Sequence, residues 1–196
     1  MNIAIIKYNA GNTKSVEHAL HRLGIQPIIT DDIEQIQNAD KVIFPGVGHA
    51  ETTMQHLKDK KLDILIKNLK QPVLGICLGQ QLMCSHSEEG NVDCLNIFPV
   101  QVKKFQSTDN QFKIPQIGWN NLYNLKSPLF KNIDENSFVY FVHSYYCEQS
   151  EFTIATCDYI HPFSAGLQKD NFYATQFHPE KSADIGNIIL ENFITI

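Results

Sequence analysis

The sequence has few cysteines and no long apolar run, and both absences exclude classes of protein. Five cysteines occur without a CxxC pair or a clustered Cys/His spacing, which argues against a disulfide framework and a zinc site. The apolar stretch at residues 1–7 is too short to span a membrane and lacks the layout of a signal peptide. We therefore expect a cytoplasmic protein with no membrane partner, no metal and no other cofactor.

Basic residues are also scarce. Lys and Arg together number 16 against 21 Asp and Glu, the formal net charge is -5, and no run of basic residues occurs. This charge balance argues against a nucleic-acid partner. The 196 residues contain no internal repeat, low-complexity tract or linker, so we expect residues 1–196 to form a single domain.

The order of apolar runs predicts an α/β fold. In the first half, short apolar runs alternate with helical patterns, which is typical of βαβ units and a mainly parallel sheet flanked by helices. In the second half, strands joined by Asn, Asp, Gly and Pro predict a mixed or antiparallel extension of that sheet. A closing amphipathic helix begins at about Ser182. The predicted strands are 3–6, 25–29, 41–44, 72–76, 100–105, 114–117, 138–142, 153–156 and 173–177.

A candidate nucleophile lies at the end of the fourth predicted strand. The segment Gly-Ile-Cys-Leu-Gly at 75–79 has the G-x-nucleophile-x-G spacing of a tight strand-to-helix turn. A sulfur at a helix N-terminus is favoured as the thiolate, and the N–H of Leu78 points to where an oxyanion would form. The alternative is a buried, inert Cys77 between two chance glycines.

A matching base follows in the segment Gln-Phe-His-Pro-Glu-Lys-Ser at 176–182. The residue before a proline avoids the helical region, so His178 is predicted to be extended. Residues two apart in an extended segment project to the same side, which would let Glu180 orient the imidazole. The alternative is a surface turn, but together with the cysteine elbow this segment favours nucleophilic catalysis.

Both motifs resemble those of the class I, triad-type glutamine amidotransferases, whose fold is flavodoxin-like. Further segments resemble one subfamily, the glutaminase subunits of imidazole glycerol phosphate synthase. They are Ala-Gly-Asn at 10–12 with Ser-Val-Glu at 15–17, Pro-Gly-Val-Gly at 45–48, Ile-Gly-Trp-Asn at 117–120 and Tyr-Phe-Val-His-Ser-Tyr at 140–145. These segments occur in the family's order and span nearly the whole chain.

The resemblance implies a role for each matching position. Cys77, His178 and Glu180 would form the catalytic triad, and the N–H groups of Val47 and Leu78 would form the oxyanion hole. In the family the peptide matching Val47 is often turned away until the partner binds. The positions that match glutamine-holding residues are Gly46, Gly48, Gln81, Glu89, Ser144 and Tyr145.

The resemblance also implies a partner. In the subfamily the glutaminase forms a heterodimer with a (β/α)8-barrel cyclase subunit, which receives ammonia and makes imidazole glycerol phosphate and AICAR in histidine biosynthesis. Positions on or near that interface are matched by Asn12, Trp119, Tyr140 and Lys181. For the two aromatic residues, ordinary core packing is the alternative.

Some departures from the family pattern leave the partner open. Lys-Tyr-Asn at 7–9 replaces the usual Asp-Tyr-Gly, so a carboxylate near the interface loop is missing. A paralogous subunit that supplies ammonia to a sugar-modifying enzyme of surface-polysaccharide synthesis is therefore an alternative. A hydrolase with a cysteine elbow and a non-catalytic interaction subunit are alternatives of other classes.

Overall fold

The computed structural model describes residues 1–8, 12–107 and 112–196. Within them, helices flank both faces of a mixed sheet. The strands are β1 (Ile3–Ile6), β2 (Ile28–Thr30), β3 (Lys41–Gly46), β4 (Val73–Cys77), β5 (His86–Ser87), β6 (Val92–Asp93), β7 (Gln101–Lys104), β8 (Gln116–Asn121), β9 (Phe138–His143), β10 (Tyr145–Cys147), β11 (Thr153–Tyr159), β12 (His161–Lys169) and β13 (Phe172–Thr175). The α-helices are α1 (Thr13–Arg22), α2 (Ile33–Gln37), α3 (Ala50–Asp59), α4 (Leu62–Asn68), α5 (Leu78–Met83) and α6 (Ala183–Thr195).

The parallel part of the sheet has the strand order β2-β1-β3-β4-β13. Successive side chains of a strand point to opposite faces. In β1, Ile3 and Ile5 accordingly join one apolar core, and Ala4 and Ile6 join the other. Both faces of this part are covered, which explains why its strands read as continuous apolar runs.

An antiparallel region extends the sheet beyond β13, as the sequence predicts. β12 pairs antiparallel with β13, β10 and β11, and β7 pairs antiparallel with β10. The predicted strands at 114–117 and 138–142 are shifted or lengthened, and they do not join this sheet. They form a separate two-stranded antiparallel sheet, β8–β9, with Trp119 opposite Tyr140. Placing these two strands in the main extension was therefore wrong.

Two glycines allow backbone geometries that other residues would not fit, one at the end of α1 and one in α6. Gly24, with φ +77°, follows the last turn of α1 and ends it in the conformation that glycine adopts most readily. A Cβ on Gly186 of α6 would collide with the carbonyl of Pro179. That close approach lets α6 pack directly behind the 178–182 segment, with Ile189, Leu190 and Phe193 buried.

Part of the sequence motifs lies outside the described residues, namely Asn9, Ala10 and Gly11. Within the described ranges, no helix has both the length and the apolar character needed to cross a membrane.

Candidate active site

Three adjacent parallel strands end at the candidate site. β4 ends at Cys77, its neighbour β3 ends at Gly46 directly opposite Cys77, and β13 on the other side leads into His178. Carboxyl ends of parallel strands share one edge of a sheet, and that edge is where ligands of α/β proteins bind. The topology therefore brings together groups that are about a hundred positions apart in the sequence.

The turn at Cys77 is strained. Its backbone lies at φ 55° and ψ −107°, a region that non-glycine residues rarely occupy. The flanking glycines are required by space, because a Cβ on Gly79 would collide with the carbonyl of Phe44. A Cβ on Gly75 would lie 2.9 Å from Sδ of Met83. The elbow inferred from the glycine spacing is present.

His178 and Glu180 lie together, with Nδ1 of the imidazole 2.8 Å from Oε1 of the carboxylate. His178 is extended, at φ −98° and ψ 97°, as predicted. The reason given for Glu180 was wrong, because Pro179–Lys181 is a 3-10 turn rather than extended chain. Asn12 Nδ2 donates to the same Oε1 at 2.9 Å. Asn12 is at the N-cap position of α1, but its side chain makes no capping bond there.

The electrostatics of this group favour a charged imidazole. Burial by itself lowers the pKa of His178, but the charge of the adjacent Cys77 sulfur and the bonded Glu180 carboxylate outweigh it and raise the pKa to about 10. Within the described residues, Nε2 of His178 has no partner with hydrogen-bond geometry. Contacts of this kind are often long before substrate binds. The site therefore favours a protonated imidazole at His178 beside Cys77.

A cavity of about 300 Å³ opens beside the Cys77 sulfur. Cys77 is 6% exposed and is one of the residues that line this cavity. Gly46 does not line the cavity; it precedes the lining residue Val47 and has no room for a side chain next to Tyr8 and Leu78. The lining combines eight residues singled out from the sequence (Val47, Gly48, Cys77, Leu78, Gln81, Glu89, Ser144 and Tyr145) with three that were missed (Pro115, Val142 and His143).

Two lining side chains are held by backbone groups. Gln81 Nε2 donates to the carbonyl of Tyr145 at 2.9 Å, and Glu89 Oε2 accepts from the N–H of Ala50 at 2.8 Å. The second bond also satisfies a free N–H at the start of α3. Both polar side chains therefore have fixed positions at the cavity wall.

The residues matched to the family's interface lie close to the catalytic groups. Trp119 is 52% exposed and meets Tyr140 edge to face at 6.1 Å between ring centroids, so core packing is the wrong interpretation for Trp119. The N–H of His178 donates to the carbonyl of Tyr140, and the N–H of Tyr140 donates to Oγ of Ser182, each at 2.9 Å. Lys181 is exposed in the turn after Glu180.

Because His143 is buried, we expect the stability of the fold to depend measurably on pH. Burial lowers the pKa of His143 to about 4, although its bond to the carbonyl of Tyr145 acts in the other direction. Below the ordinary pKa of histidine, His143 takes up a proton in the unfolded state but stays neutral in the folded state. The free energy of unfolding therefore decreases as the pH falls from above the unfolded pKa toward 4. From pH 7.5 to pH 5 we expect the free energy of unfolding to lose about 2 kcal/mol from this group.

Urea unfolding at the two pH values measures the effect. His143→Asn keeps a donor near the position of Nδ1 but does not titrate, so its loss over the same interval should be smaller by that amount. Equal losses in both proteins would contradict a neutral buried His143.

Comparisons with known proteins agree with this geometry. A family model described as class I glutamine amidotransferase matches residues 4–196. The chain therefore belongs to the class I glutamine amidotransferase family, and it is a glutamine-hydrolysing enzyme.

Within that family, the chain groups with subunits named imidazole glycerol phosphate synthase subunit HisH. The one from Bacteroides fragilis is 61% identical over all 196 residues of this chain and 100% of its own length. The one from Pasteurella multocida is 50% identical over 98% of this chain and 97% of its own length. The structure of PurLQS from Thermotoga maritima shares the fold, with a TM-score of 0.74 at 13% identity over 99% of this chain and 97% of that chain.

Proposed function

We propose that residues 1–196 form one glutaminase domain that is a subunit of imidazole glycerol phosphate synthase. It hydrolyses glutamine through Cys77, His178 and Glu180 and passes ammonia to a (β/α)8-barrel cyclase subunit. The observation that carries this proposal is the Cys77 elbow on the cavity wall, with the bonded His178–Glu180 pair close enough for the Cys77 sulfur to raise the pKa of His178. The 61% identity to the Bacteroides fragilis subunit supports the histidine pathway over the sugar-pathway alternative.

In the first half-reaction, the Cys77 thiolate attacks the carbon of the glutamine side-chain amide. The carbonyl electrons move onto oxygen and give a tetrahedral oxyanion. His178, charged and held by Glu180, then gives its proton to the departing nitrogen, so that ammonia leaves and a glutamyl thioester remains. The strained backbone at Cys77 and the raised pKa of His178 support this assignment.

In the second half-reaction, His178 takes a proton from water, which attacks the thioester. Glutamate leaves and the thiolate is restored. Gln81, Glu89, Ser144 and Tyr145 are proposed to hold the glutamine, with backbone groups of Gly46 and Gly48. All of them except Gly46 line one cavity, which supports this role.

We assign the oxyanion hole to the N–H groups of Leu78 and Val47. Leu78 is the first residue of α5, and both Leu78 and Val47 line the cavity. The N–H of Val47 belongs to the Gly46–Val47 peptide, and turning that peptide over changes ψ of Gly46 and φ of Val47. Glycine at position 46 lowers the steric cost of such a turn. Losing one oxyanion donor lowers kcat by about 10²- to 10³-fold, so such a turn is sufficient as a switch.

A barrel partner fits the chemistry and the surface. Ammonia released into water is mostly protonated and is then no nucleophile, so a shielded path to the acceptor is needed. The β8–β9 sheet exposes large apolar side chains beside the site, Ile117 (64%), Trp119 (52%) and Phe138 (56%), as protein-binding surfaces do. We place Asn12, Tyr140 and Lys181 at the edge of this contact. Five free cysteines suit a reducing cytoplasm.

Adding the barrel subunit with its ligand should raise glutaminase activity by about 10²-fold, because the second oxyanion donor is then in place. Glutamate formation from purified subunits measures this, and the barrel product measures ammonia transfer. Maximal turnover by the isolated chain would contradict the switch.

Two variants of exposed apolar residues locate the contact. Trp119→Ala should weaken the activation, since it removes the largest exposed side chain of β8–β9. Ile64→Ala removes an apolar side chain that is 59% exposed on α4, and it should leave the activation unchanged. Equal effects of the two variants would place the partner elsewhere.

A further inference from the structure

Gln176 contacts the candidate nucleophile, and the proposed mechanism does not use it. It is fully buried at the end of β13, two residues before His178. Its Nε2 lies 3.7 Å from the Cys77 sulfur, within the range of a hydrogen bond to sulfur. Its Oε1 lies 3.0 Å from Nε2 of Gln81, one of the residues proposed to hold glutamine.

The orientation of both amides follows from one backbone group. A carbonyl can only accept, so the carbonyl of Tyr145, 2.9 Å away, requires Gln81 to present its NH₂ group. The same NH₂ group faces Gln176, which must therefore present its oxygen there. With the oxygen of Gln176 turned to Gln81, its NH₂ group points at the sulfur.

We propose that Gln176 donates a hydrogen bond to the Cys77 thiolate and that Gln81 fixes its orientation. A donor to the charged form stabilises it, so the amide would favour the thiolate in addition to the nearby charge of the imidazole. The inference rests on the proposed function, because it takes Cys77 as the nucleophile. It adds that Gln81, which is placed to bind glutamine, acts on the nucleophile through one intervening residue.

A measurement on Cys77 must separate the effect of the titratable groups near its sulfur from the effect of the neutral groups that contact it. The titratable groups near Cys77 are His178 and, after β1, the buried Tyr8, and the pKa of each is raised by the Cys77 sulfur. The neutral contacts are Gln176 Nε2 and the carbonyl of Val142 at 3.9 Å. A neutral replacement of Gln176 changes the donor and leaves both titratable groups in place.

The test is the rate of iodoacetamide alkylation of Cys77 as a function of pH, followed by mass spectrometry of the peptide that contains it. Gln176→Met keeps the size of the side chain and removes the donor. The pH midpoint of alkylation should rise by about one unit, a roughly tenfold loss of thiolate below the midpoint. An unchanged midpoint would overturn the proposal.

A buried glutamine of α5 provides the matched control. Gln80 is also fully buried, but its Nε2 donates to the carbonyl of Ser164 at 3.0 Å, away from the sulfur. Gln80→Met should cost comparable stability and leave the midpoint unchanged. A rise of the same size in Gln80→Met would show that packing, and not the donor, sets the midpoint.

Gln81→Met tests the orientation step and also decides the matter if Gln176→Met does not fold. Without the Gln81 NH₂ group, the Gln176 amide is free to turn, so the midpoint should rise by a smaller amount. No rise would overturn the orienting role. These readouts need no turnover, so a failed inference is distinguishable from a failed function, which would appear as full activity in Cys77→Ala.

Discussion

Replacing Cys77 by alanine is expected to lower glutaminase activity by about 10⁴-fold or more, with glutamine still bound. Without the sulfur no thioester can form, and His178 has no nucleophile to act with. We expect the cavity to be otherwise unchanged, because its other walls come from the loop after β3, α5, Glu89, Pro115 and the 142–145 segment. Glutamate release in the presence of the barrel subunit measures the loss, and binding calorimetry measures retained glutamine affinity. Activity within tenfold of the parent would contradict the nucleophile assignment.

A second substitution at the same position separates chemistry from folding. Cys77→Gly should also be inactive, but it should be more stable than Cys77→Ala by about 1 kcal/mol or more. The reason is the backbone at φ 55° and ψ −107°, which glycine adopts at little cost. Urea unfolding of the two inactive variants gives the difference directly. A less stable glycine variant would mean that the elbow stores no strain.

Replacing Glu180 by glutamine should lower kcat by about 10³- to 10⁴-fold while leaving the fold intact. The amide has nearly the same shape, but it carries no charge to support the imidazolium. The Glu180 charge is one of the causes that raise the pKa of His178, so that pKa should fall in the variant. The pH–rate profile measures this fall as an alkaline limb that moves to lower pH.

Glu191→Gln is the matched control, because Glu191 lies exposed on α6 and should change neither kcat nor the profile. Activity of Glu180→Gln within a few-fold of the parent would show that His178 needs no carboxylate. Asn12 donates to the same oxygen, so Asn12→Ala should show a weaker form of the same effect.

The sequence predicts the parallel half of the fold and the catalytic motifs because each has a local signature. Strands such as β1 are buried on both faces and read as short apolar runs, and the elbow at Cys77 is set by neighbouring glycines. The sheet to which a strand belongs leaves no local pattern in the sequence. β8 and β9 look like other strands, and only their pairing with each other separates them from the main sheet.

The missed site residues have a related cause. Val142 and Gln176 lie inside the segments 140–145 and 176–182 but were given no role there. They contact Cys77 from 65 and 99 positions away, through a backbone carbonyl and a neutral amide, and neither group marks a catalytic role as a cysteine or a histidine does. Asn12 illustrates a local pattern overridden by the fold. Its position before α1 predicts a helix cap, but its amide instead bonds to Glu180, 168 positions away.

The hydrogen bonds between Tyr140 and the 178–182 segment make one wall of the site stiff. His178 N–H and Ser182 Oγ both bond to the backbone of Tyr140, and Ser182 Oγ in turn donates to the carbonyl of His178 at 2.7 Å. We therefore expect the exposed aromatic face and the imidazole to move together. If a partner binds at Trp119 as proposed, the adjustment on docking is expected at Val47, which lines the same cavity.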